Sequence, residues 1–177
     1  IFSPLISSLL FLLVLSLAIG ADRGDVLGVP FITFLAPGLI SMQVIQQSFS
    51  HSSSSFMIKK IDGTIVDLLF APLSAGEVTI SVSLAAVTRS VVIGIVSIIV
   101  FHLIIDIEIK NYLMLIAFTL LSSFILGNIG IIAGLWAEKF DHMATVTNFV
   151  IVPLSFLSGT FYSIERLPDF LQAVSKV

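Results

Sequence analysis

Cysteine is absent from the 177 residues, which excludes disulfides, a thiolate nucleophile and any cysteine-held metal, and leaves the redox compartment open. Charge is nearly as scarce. Asp, Glu, Lys and Arg make up 11% of the chain and the formal net charge is −3. Both signs are spread over the polar interruptions, so the chain carries no nucleic-acid-binding face and no polybasic lipid clamp. No G-x-x-x-x-G-K-[ST] run occurs, so the chain has no phosphate cradle of its own for hydrolysing ATP. It has no reliable internal repeat either. It opens on Ile1 inside an apolar run, without the charged leader or small-residue cleavage site of a signal peptide, and reads as a piece of a longer protein.

What fills the chain is apolar. Hydrophobic residues reach 57% and the mean hydropathy is +1.15, values that a water-soluble domain cannot present at its surface. The fold class is therefore all-α, a polytopic integral membrane protein forming one transmembrane domain over residues 1–177. A hydrocarbon core of roughly 30 Å needs about 20 apolar residues at 1.5 Å each. Five stretches qualify: residues 1–20, 31–55, 79–105, 112–137 and 143–158. Pro37 and Gly38 predict a kink or unwound turn early in the second. Its later half is unusually polar, with Gln43, Gln46 and Gln47 followed by Ser48, Ser50, His51 and Ser52 to Ser55, a face that should point at protein or water. In the fourth, Gly127, Gly130 and Gly134 recur at i, i+3 and i+7, a small-residue stripe that admits another helix closely.

Residues 59–77 form the longest charged interruption. There Asp62 is placed to cap a short helix, with Ile61, Ile65, Leu68 and Leu69 on one face and Thr64 and Asp67 off it. Pro72 stops that helix. Ser74 and Glu77 are then spaced as a capping box at the start of the next span. Lys and Arg divide evenly between the two sides, so positive-inside counting does not orient the chain. Only Lys59 and Lys60 hint that this loop is cytoplasmic.

Other chemistry is thin. His51, His102 and His142 are far apart, and Glu138 four residues before His142 is more often a solvated helix end than a metal site. The serines around His51 lack the strained elbow of a Ser–His nucleophile. Arg89, inside the third span, costs several kcal/mol unless it snorkels to headgroups or meets a carboxylate such as Glu77. No metal, cofactor or catalytic residue is expected in this chain.

Three segments together resemble the permease subunit of type-2 ABC exporters, the group that includes polysaccharide, lipo-oligosaccharide and drug efflux permeases. They are LAPGLISM at residues 35–42, the loop at 61–77, and FLSGTFYSIERLP at 156–168, the most specific of the three. Ser163 stands where the family often has Pro after the aromatic pair. The family also has an N-terminal interface helix and a sixth span, so the resemblance implies a chain truncated at both ends. It further implies a multi-pass protein of the inner membrane, working as a homodimer with two copies of an ABC ATP-binding subunit that carries the ATP and Mg. On that pattern Ile61, Asp62, Ile65, Leu68, Leu69 and Glu77 belong to a cytoplasmic coupling helix and its cap. Gln43, Gln46, Gln47, Arg89, Gly159, Phe161, Tyr162 and Glu165 belong to the path or its gate, with residues 159–177 re-entrant at the outer face. The expected function is ATP-driven export of a glycan, lipid-linked or drug-like substrate. A channel, secondary carrier or membrane scaffold is the alternative, and the lack of a clear acidic residue in the spans speaks against a coupled carrier.

Overall fold

A computed structural model describes residues 2–19, 30–105 and 111–157. Among these the regular structure is entirely helical: α1 (Phe2–Ile19), α2 (Phe31–Ile61), α3 (Ile65–Phe70), α4 (Ala75–Ile104), α5 (Tyr112–Trp136), α6 (Phe140–Val146), a π turn (Thr147–Ile151) and α7 (Val152–Leu157). The loop around Arg23, the loop at 106–110 and the proposed re-entrant segment with Gly159, Phe161, Tyr162 and Glu165 lie outside the described residues.

Two helices, α4 and α5, have both the length and the apolar composition of a membrane span. α1 contributes a shorter apolar stretch, Pro4–Leu15. α2 is long enough at 31 residues, but its serine- and glutamine-rich half lowers its hydropathy. It also differs from the expected span in running past residue 55 and taking in Lys59, Lys60 and Ile61. Pro37 is accommodated inside it without ending it, so of the expected kink or unwound turn the unwound turn does not form; the Ser41 hydroxyl donates to the Pro37 carbonyl at 2.9 Å. The fifth expected span is a helix that starts at Phe140 and is broken by the π turn. Pro153, just beyond that turn, has no N–H to offer the carbonyl four residues back, and the wider turn absorbs the mismatch.

α2 is the hub, packed against α1, α4, α5 and α7. Toward one end Leu35, Ala36, Leu39 and Ile40 meet Leu12 of α1 and Phe101 of α4. Further along, Phe49 packs with Ala133 and Ile151, and Met57 with Ala137 and Met143.

The glycine stripe of α5 sets the closest approach. A Cβ on Gly130 would lie 2.6 Å from the Phe49 carbonyl oxygen, and one on Gly134 would lie 2.6 Å from that of Ser53. Both obstacles are backbone of α2. At Gly127 the nearest atom is the Ser48 hydroxyl at 3.3 Å, a side chain that can turn aside. Gly130→Ala and Gly134→Ala should therefore each cost about 1–3 kcal/mol, read as a lower melting temperature of the detergent-solubilised protein. Gly127→Ala should cost clearly less, and equal losses at all three positions would contradict this packing.

Candidate functional site

The loop between α2 and α4 departs from its sequence reading in detail and keeps its main feature. Gly63 adopts φ +74°, a left-handed conformation that glycine takes without a Cβ penalty, and this separates α2 from α3. Ile61 is consequently the last residue of α2, and Asp62 follows it at the C-terminal end, its backbone N–H donating to Ile58 and Lys60 carbonyls. Asp62 does not cap the short helix, because the cap position belongs to Thr64, whose side chain makes no cap bond. The helix itself is Ile65–Phe70, ended by Ala71 in extended conformation, the conformation favoured before Pro72.

Ile65 and Leu68 are half-buried, and α3 touches α2. Leu69 and Phe70, at 77% and 84% exposure, are not packed on anything. The capping box that follows forms as expected: the Glu77 N–H donates to the Ser74 hydroxyl oxygen at 3.2 Å, and the Ser74 N–H and hydroxyl both donate to the Glu77 carboxylate at 2.7 and 2.9 Å. Those bonds, the backbone one foremost, hold the Glu77 carboxyl below its usual range. Glu77 lies in the exposed first turn of α4, ahead of the apolar span. The cap is therefore intact at neutral pH and weakens only as pH falls through that lowered value.

The polar half of α2 divides into two functions. Ser48, Ser52 and Ser53 are buried against the α5 glycines. The Ser48 hydroxyl donates to the Ser123 carbonyl, and Ser90 of α4 donates to the Ser123 hydroxyl at 2.9 Å. These serines form a three-helix seam, not a path. Gln43 is also largely a tie: its Nε2 donates to the Pro4 carbonyl at 3.0 Å, and its Oε1 accepts from Ser97 at 2.9 Å, joining α1, α2 and α4. Beside it opens a cleft of about 360 Å³ walled by Ser7, Ser8 and Phe11 of α1, Gln43, Gln46 and Gln47 of α2, and Phe156 of α7.

Arg89 does not meet Glu77. Its Nη1 lies 3.1 Å from Nδ1 of His51, on the neighbouring helix. Lys60, read from the sequence only as an orienting charge, donates to the carbonyls of Leu135 and Ala137, the latter at 2.9 Å, and so caps the end of α5. Nothing in the local sequence signals that contact, since the partners lie 75 and 77 residues apart. Among the described residues, no group of three or more His, Asp or Glu could hold a metal ion.

The sequence profile of the ABC-2 type transporter membrane family matches residues 1–177. The chain belongs to this family. It is similar to inner membrane transport permease YadH of Escherichia coli strain K12, 29% identical over 172 residues that cover 97% of this chain and 67% of the relative. It is also similar to nodulation protein J of Sinorhizobium fredii, 23% identical over 162 residues, covering 91% of this chain and 62% of the relative. The chain thus spans about two thirds of the length of the curated relatives it matches. No solved structure gives a significant match. As an ABC-2 member it is the membrane component of a transporter, sited in the inner membrane, and is not itself catalytic.

The two roles of the glutamines separate by substitution. Gln43→Leu leaves the Ser97 hydroxyl without its glutamine partner and removes the tie to Pro4 of α1, and should cost about 1–3 kcal/mol, seen as a lower melting temperature. Gln46→Leu only changes the cleft wall, and should alter transport at nearly unchanged stability. Equal destabilisation by both would refute the division.

Proposed function

We propose that this chain is the permease subunit of an ATP-driven exporter, with α3 as the helix through which a cytoplasmic ATP-binding subunit drives it. The observation that carries the reading is a six-residue helix, bracketed by a glycine hinge and a capping box, that leaves Leu69 and Phe70 exposed. An apolar pair held out on a rigid short helix fits a hydrophobic groove on a partner. The name of one relative supports transport, YadH being termed a transport permease.

In this reading the chain crosses the membrane five times, by α1, α2, α4, α5 and the α6–α7 helix. Two copies pair with two ATP-binding subunits, and the cleft at Gln46 and Gln47 belongs to the path. Residues 159–177, carrying Gly159, Phe161, Tyr162 and Glu165, form a re-entrant gate at the outer end. Export of a glycan, lipid-linked or drug-like substrate is what the resemblance of residues 35–42, 61–77 and 156–168 together implies.

Leu69 is a cleaner probe than Leu68, because Leu68 also packs inward. Leu69→Asp or Phe70→Asp should weaken ATPase binding by about tenfold or more and uncouple hydrolysis from transport, while membrane insertion and the fold persist. Normal co-purification together with a normal transport rate would defeat the coupling assignment. Topology has its own check: single cysteines at Arg23 and at Arg166 should both react with an impermeant thiol reagent applied from outside. Labelling of one alone would break the five-span arrangement.

A further inference from the structure

α5 ends without a cation of its own. It has no basic residue in its last turn, and the chain turns extended at Ala137, whose N–H closes the final bond on the Ala133 carbonyl. The Leu135 carbonyl, further on, is left without a helical donor, as the last carbonyls of a helix are, at the negative end of the helix dipole. Lys60 of α2 supplies what is missing. Its ammonium donates to the carbonyls of Leu135 and Ala137, the latter at 2.9 Å. Lys59 and Lys60 both lie in the last turn of α2, where either could serve the C-terminus of α2 itself, yet Lys60 reaches across to α5.

Packing sets that reach. Ser53, Met57 and Lys60 recur at i, i+4 and i+7, and so share one face of α2. The Ser53 carbonyl lies against Gly134, Met57 packs with Ala137 and Met143, and Lys60 closes the row on the final carbonyls. The backbone of Lys60 is engaged in the opposite direction. Its carbonyl accepts from the Gly63 N–H at 3.3 Å and from the Asp62 N–H, and Gly63, at φ +74°, is the joint between α2 and α3. One residue is thus bonded through its backbone to the hinge before α3 and through its side chain to the end of α5.

We infer that Lys60 is a positioning residue for coupling: when the ATP-binding subunit displaces α3, the Lys60 ammonium makes the end of α5 follow. This rests on the reading of α3 as the helix on which that subunit acts. The bonds are charge-assisted and therefore strong, and the flexible four-carbon stem keeps them while the helix ends shift. Without them α5 would still lie on α2 through its glycine seam, but its last turn would meet the moving end only through the apolar contact of Met57 with Ala137.

The test uses the full-length permease with its ATP-binding subunit in lipid nanodiscs, either nucleotide-free or trapped with ADP and vanadate, and reads amide hydrogen exchange by mass spectrometry. In the wild type, trapping should change exchange in residues 63–72 and in residues 134–142 together. Lys60→Arg should preserve both responses. Lys60→Met should keep the response at 63–72 and lose the one at 134–142. Without nucleotide, Lys60→Met should also quicken exchange at the end of α5 by about two- to fivefold, the factor that a cation at a helix C-terminus is worth. That second effect belongs to a static cap as well, so the decision lies in the nucleotide-dependent response and its rescue by arginine. Should Lys60→Met fail to fold, Lys60→Gln, an uncharged donor on a shorter stem, takes its place with the same expectation.

An undiminished response at 134–142 in Lys60→Met overturns the assignment, as does Lys60→Arg behaving like Lys60→Met. Loss of both responses in Lys60→Met would make Lys60 part of the subunit contact itself and overturn its role as a link. A wild type that responds at 63–72 but not at 134–142 removes Lys60 alone and leaves α3 as the coupling helix. A wild type silent at 63–72 removes the coupling reading, and this inference with it.

Discussion

The constraint on which the rest of the bundle depends is the backbone contact between α2 and α5. In a bilayer, lipid tails are as apolar as leucine, so burying leucine against another helix contributes little, and helices associate through close packing and short polar contacts. The α5 glycines supply the first by letting the helix rest on the Phe49 and Ser53 carbonyls. Ser48, Ser90 and Ser123 supply the second. Individual interhelical hydrogen bonds of this kind contribute only about 0.6 kcal/mol on average, so it is their placement on a continuous seam that fixes α2 as the hub.

Fixing α2 fixes the site. The glutamine wall of the cleft, the Gln43 ties and His51, the partner of Arg89, all project from the same helix. This explains how a stretch so rich in serine and glutamine serves packing and a polar cavity at once. Residues on the seam are fully buried, whereas Gln46, Gln47 and His51 are half-buried. The Ser52 hydroxyl, buried without a hydrogen-bond partner among the described residues, reflects the tightness of that seam, where a small side chain is required whether or not its polar atom is served.

Much of this was legible in the sequence where the signal is local and periodic. The apolar runs follow from contiguous composition, and the glycine stripe and the Ser74–Glu77 box from spacing, because each of the latter depends on residues within two turns of one another. Asp62 was misread because an acidic residue before an apolar stripe looks like an N-cap. The adjacent Gly63 makes the sharp turn instead, and α2 extends through Lys59 and Lys60. The serine run was legible as polar but not as divided, since which serines meet α5 depends on the rotation of α2 about its axis. Lys60 with the end of α5, and Arg89 with His51, join positions 38 to 77 residues apart, which no local pattern encodes.

The same long-range contacts determine how a displacement of α3 would spread. Gly63 is a joint, so α3 can tilt, but half-buried Ile65 and Leu68 keep it against the end of α2. Immediately above that joint Lys60 is held by two carbonyls of α5, and Met57 packs with Ala137 and Met143 where α5 turns into α6. A push on α3 therefore cannot move α2 alone; it moves the ends of α2, α5 and α6 together. Between two and three turns further along α2, Phe49 meets Ile151 in the π turn, the place where the last described helix departs from regular α geometry. A rigid α2–α5 pair working against a helix already weakened at its π turn and Pro153 concentrates bending there, next to α7 and the Phe156 wall of the cleft, and not in the glycine seam.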